Sequence, residues 1–113
     1  MKQKIVSLLL LLLLLICETA EATTGNEYKK LSENEQYYFL VGAVEGMFFS
    51  TIALGTDKEN HWFIKCCEKM EFTQIEAILK KYINEHPEDW HVSVISLLVD
   101  SMSEACEKRG DTN

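Results

Sequence analysis

The chain contains one proline, and no other residue constrains its fold as strongly. Pro87 separates two stretches that both read as amphipathic helix. Before it, Ile75, Ile78, Leu79, Tyr82 and Ile83 fall at i, i+3, i+4, i+7 and i+8, the apolar stripe of a helix. Lys80, Lys81, Asn84 and Glu85 take the wet side. A residue that precedes proline is pushed out of helical geometry, so this helix ends by His86. Proline suits the first position of a new helix, with Glu88 and Asp89 against the positive end of its dipole. Behind it, Trp90, Val94, Leu97, Leu98, Met102, Ala105 and Cys106 share one face, and Lys108, Arg109 and Gly110 form a stop. The pattern predicts two antiparallel helices joined at a tight corner.

Upstream, Ser32-Glu33-Asn34-Glu35 has the form of a capping box. The helix that it opens runs to about Leu54, with Gly55 suited to the left-handed position past the end. From Tyr37 to Gly55 the only charge is Glu45, and Gly42 and Gly46 are spaced as in a membrane packing motif. A membrane-anchored accessory protein is therefore an alternative. A carboxylate near mid-span costs about 2.5 kcal/mol or more, and no lysine or arginine cluster flanks the stretch. A buried central helix is the better reading, with the two glycines admitting a neighbouring helix closely. Thr73-Gln74-Ile75-Glu76 forms a second capping-box pattern. Between the two helices, Thr56 to Phe72 reads as a long connection in which Thr56 to Glu59 start at most one short turn. Asp57, Lys58, Glu59, Asn60, His61, Trp62 and Phe63 mix charge with aromatics there. Either they form a protein-binding surface, or Trp62 and Phe63 fold back and plug the core. Nothing alternates as strand. The fold class expected is all-α: a single domain of three main helices over residues 32–110, behind a loose tail at 23–31.

The N-terminus reads as a secretory leader. Lys2 and Lys4 precede an apolar run from Ile5 to Ile16, and Ala20-Glu21-Ala22 fits a small-x-small cleavage site. The run is too short for a membrane span. Cleavage after Ala22 places the mature chain, Thr23 to Asn113, in the periplasm. The leader carries two charges of each sign, so the net charge stays at −7. That excludes nucleic acid and anionic membrane as natural partners and permits a basic protein. An oxidising compartment favours a disulfide. Either Cys66 or Cys67 can pair with Cys106, and the other then packs as a small buried hydrophobe. Closing a roughly 40-residue loop would contribute about 4 kcal/mol, a large share for so small a domain.

No chemistry of catalysis or metal binding emerges. A helical metal pair wants histidines four apart on one face. His86 and His91 are five apart across Pro87, and His61 stands alone. His86 suits helix-end carbonyls and His91 suits packing beside Trp90. There is no phosphate-binding glycine loop and no nucleophile with a base at a supporting spacing. The residues point to a binding protein without enzyme activity, cofactor or metal.

The corner "KYINEHPEDWHVSVISLLVDSM" resembles the most recognisable segment of the Rap/Tai family of type VI secretion immunity proteins. The matching residues are Tyr82, Ile83, His86, Pro87, Glu88, His91, Leu97, Leu98, Val99 and Cys106. Upstream, "LVGAVEGM" is similar to the family's glycine segment, with Gly42 and Gly46 in place. Thr73 and Gln74 resemble the start of its next helix, and Cys66 or Cys67 stands where a cysteine precedes it. Leu40 stands where many members have a cysteine, so the disulfide pattern of the family is incomplete here. The resemblance implies a small helical periplasmic protein that binds and neutralises a secreted toxic effector, often a peptidoglycan amidase. Dimers are known in that family, which makes a homodimer one possible partner. For the contact we expect the segment Asp57 to Phe63. The competing reading is a periplasmic acid-stress chaperone of the HdeA kind, triggered by protonation of its many carboxylates.

Overall fold

The structure is a computed structural model that describes residues 1–15, 22–54 and 57–109. The regular structure of these residues is helical, and the only β-type pairing among them is a single bridge between Thr24 and Ser93. In chain order the helices are α1 (Lys2–Leu15), α2 (Gly25–Lys30), α3 (Glu33–Leu54), α4 (Asp57–Cys67), α5 (Phe72–Glu85) and α6 (Val94–Arg109), with a 3-10 turn at Pro87–Asp89 before α6. No helix among the described residues is long and apolar enough to cross a membrane. α1, the apolar part of the expected leader, buries none of its side chains. Ala20 and Glu21 of the cleavage motif lie outside the described residues, as do Thr56 and the stops at Gly55 and Gly110.

The corner forms as its residues dictate. Ile75, Leu79 and Ile83 of α5 face Val94, Leu97, Leu98, Met102 and Cys106 of α6, all buried. α3 and α4 close over this pair with Leu40, Val44, Phe63 and Cys66. A disulfide joins Cys66 to Cys106, α4 to α6, and Cys67 is buried beside it.

Four expectations need correction. The stretch at 23–31 is no loose tail: it holds α2, capped by a reciprocal Thr24–Glu27 box, with Tyr28 buried in the core. The long connection, expected to hold at most one short turn, carries the helix α4 over Asp57–Cys67, beside the three main helices α3, α5 and α6. The Thr73–Glu76 capping box does not form: α5 starts at Phe72 behind Glu71, and Glu76 pairs instead with Lys80 at 2.9 Å. Phe72 packs on the core, which draws the helix start forward.

The fourth concerns the corner. Pro87 opens a 3-10 turn, and α6 begins only at Val94. The reason lies in α2. The carbonyls of Trp90 and Val92 accept from Asn26 N (2.9 Å) and Gly25 N (3.0 Å), and Val94 N donates to Thr23 O at 2.8 Å. Main-chain groups committed to another segment cannot serve a helical ladder at the same time. Ser93 then accepts from Ser96 N at 3.3 Å at the start of α6.

Candidate protein-binding surface

The expected contact segment splits apart when it becomes a helix. Asp57, Lys58, Glu59 and Asn60 form the first turn of α4. His61 is exposed, Trp62 is half-buried, and Phe63 is 1% exposed. Phe63 packs edge-on against Trp62 (5.7 Å) and against Phe48 of α3 (6.3 Å). It plugs the core and cannot meet a partner.

At the corner, Tyr82 and His86 are engaged with each other. His86 Nδ1 lies 2.8 Å from the carbonyl of Tyr82, and its ring stacks on Tyr82 at 4.0 Å. Burial, with the carboxylates of Asp100 and Asp89 adding to it, holds the Tyr82 phenol above its ordinary range. Glu88 and His91 are exposed on the turn. Among the described residues, no three His, Cys, Asp or Glu side chains come together as a metal site would require.

Two small cavities flank the helices. One, of about 120 Å³, lies between α5 and α6 beside Tyr82. Its charges are matched within the chain, Lys81 with Glu85 and Lys108 with Glu104. The other, of about 200 Å³, lies beside Tyr28 and has Lys29 and Lys80 in its wall. Lys29 is held over the Trp90 ring and Lys80 by Glu76. Neither cavity presents an uncommitted charge.

The outer face of α3 is different. Gly42 and Gly46 were expected to receive a neighbouring helix of this chain, and among the described residues none approaches them: a Cβ built on either meets nothing within 4 Å. They face outward with Tyr38 (73% exposed), Phe49 (72%) and Ile52 (76%), and exposed Glu45 lies among them. Tyr38, Gly42, Glu45, Phe49 and Ile52 are spaced 4, 3, 4 and 3 apart. At 100° per residue they fall within an arc of about 80°. The opposite side of α3 carries Leu40, Val44 and Thr51, all buried. Large apolar side chains grouped on one exposed helix face mark an interaction surface more than a solvated one. Residue spacing alone missed it, because α3 is apolar nearly all round and gives no dominant periodicity. The signal that could have found it is Glu45, a charge that must point outward and so orients the helix.

The chain matches no family model, no curated protein and no solved structure in the comparisons made.

Proposed function

We propose that this protein is a periplasmic immunity protein. It binds a secreted toxic effector, a peptidoglycan amidase or another cell-wall hydrolase, and blocks it by occlusion. The observation that carries the reading is the outer face of α3, where three large apolar side chains stand more than two-thirds exposed on a disulfide-joined helical fold. The Rap/Tai-like corner and an acidic balance suited to a basic partner support it. The contact moves from Asp57–Phe63 to α3, because Phe63 belongs to the core.

The test is co-purification. Tagged Thr23–Asn113 is incubated at neutral pH with envelope extract and culture fluid of the source cells. One stoichiometric partner whose cell-wall hydrolysis falls on addition of the protein is the expected result. Capture of many unrelated proteins only at about pH 2–3, where carboxylates are protonated, would sink the reading in favour of an acid-stress chaperone.

A further inference from the structure

The outer face of α3 carries more than an apolar patch. We propose that it takes one α-helix of the partner, with an arginine or lysine set against Glu45; the inference rests on the binding reading above.

The glycines come first. Among the described residues, packing requires neither Gly42 nor Gly46 to be glycine, since a Cβ at either would enter open space. Each weakens the helix relative to alanine. What they supply is a bare strip of backbone between Tyr38 and Phe49. Small residues of this kind let a second helix approach closely. The 4-3-4-3 spacing of the face is that of a seam between two helices crossing at a shallow angle. Tyr38 at one end, and Phe49 and Ile52 at the other, stay exposed to cover such a helix above and below the strip.

Glu45 then selects the occupant. It is the only charge on α3 beyond Glu35, and the helix contains no lysine, arginine or histidine. A carboxylate covered by apolar surface loses its water and must be paired. Among the described residues no ion pair engages Glu45, which leaves it to be met by a cation of the occupant. A second copy docked through the same face does not bring it: a symmetric pairing centred on the glycines sets Glu45 against Glu45, between two molecules of net charge −7 each. The complementary surface is a helix with small and apolar residues around one basic side chain.

Two synthetic amphipathic helical peptides of about 20 residues test this directly, a length that spans the face at 1.5 Å per residue. Both carry an alanine and leucine stripe, and they differ only in a central arginine or glutamate. Binding to Thr23–Asn113 is followed by fluorescence anisotropy. The arginine peptide is expected to bind about tenfold tighter or more, the factor that 1.4 kcal/mol of charge pairing gives. Glu45→Gln should shrink that preference to near unity, and Glu45→Arg should reverse it. Gly46→Leu should abolish binding of both peptides while keeping the circular dichroism and a melting temperature no lower than that of the natural protein. Equal binding of the two peptides, or no binding of either, overturns the proposal. So does a neutral-pH dimer in sedimentation that Gly46→Leu dissociates. If Gly46→Leu still captures and inhibits the co-purified hydrolase, the helix-docking proposal fails and the inhibitor reading stands. If no hydrolase is captured while the arginine preference holds, the inhibitor reading fails and the docking chemistry stands.

Discussion

The indole nitrogen of Trp90 donates to the main-chain carbonyl of Ile83 at 2.7 Å. The same ring carries the Lys29 ammonium 3.1 Å from its centroid, and the Trp90 carbonyl accepts from Asn26 N. One side chain thus ties the end of α5 to the turn after it and to α2. Trp90→Phe keeps a ring but loses the donor and weakens the cation contact. The expected cost is about 1–3 kcal/mol, read as a fall in melting temperature of several degrees per kcal/mol. An unchanged melting temperature would deny Trp90 this role.

Two glycine positions should respond in opposite directions. A Cβ at Gly25 would sit 3.0 Å from Leu97 Cδ1 and 3.2 Å from both the Cα and the carbonyl oxygen of Trp90. The leucine tip can turn aside, but the Trp90 backbone is held by hydrogen bonds. Gly25→Ala should therefore destabilise by about 1–3 kcal/mol, as overpacking does. Gly42→Ala meets open space within a helix and should stabilise by about 0.5–1 kcal/mol. Urea unfolding of the two variants, side by side, checks both signs.

Reduction should be costly. The Cys66–Cys106 disulfide closes a loop of 40 residues in sequence separation. Its loss, by dithiothreitol or by Cys106→Ser, should lower stability by about 4 kcal/mol. Urea midpoints with and without reductant measure it, and a difference below about 1 kcal/mol would contradict the chain-entropy argument.

Alkaline pH should loosen α2. Burial, with the nearby Glu76 carboxylate adding to it, pushes the Tyr28 phenol up to about 12 from an ordinary 10.0. The folded state thus favours the protonated phenol. This contribution is fully present below pH 10 and is lost as pH rises through about 12. Thermal melts between those values should fall steadily for the natural protein. They should fall less for Tyr28→Phe, which has no phenol to ionise.

The corner helices were legible because burial there follows a single strong period. Ile75, Leu79 and Ile83 are buried as their spacing requires, and so are Leu97, Leu98 and Met102. Capping boxes were less reliable guides. Ser32 and Glu35 form theirs, with Ser32 N donating to Glu35 Oε2 at 2.8 Å, which holds the Glu35 carboxyl below its usual range. Thr24 and Glu27 carry the same signature and form one too, at 2.8 Å. That helix is only six residues long, and Tyr28 is its one large core side chain, so no periodicity announced it. Thr73 and Glu76 carry the signature and form nothing, because Phe72 and Lys80 compete for the helix start and for the carboxylate. The exposed face of α3 was hidden for a related reason: on a helix apolar nearly all round, hydropathy cannot separate inside from outside.

The bond from Val94 N to Thr23 O bears on the order in which this chain can assemble. Synthesis from the N-terminus delivers residue 23 long before residue 94. Until residues 90–94 emerge, the main chain of Thr23, Gly25 and Asn26 lacks the partners that it bonds in the fold. The segment beside the expected cleavage point therefore remains an open strand of chain throughout delivery. It closes only when the C-terminal turn arrives to receive it, so a processing enzyme would have its opportunity before folding and little afterwards.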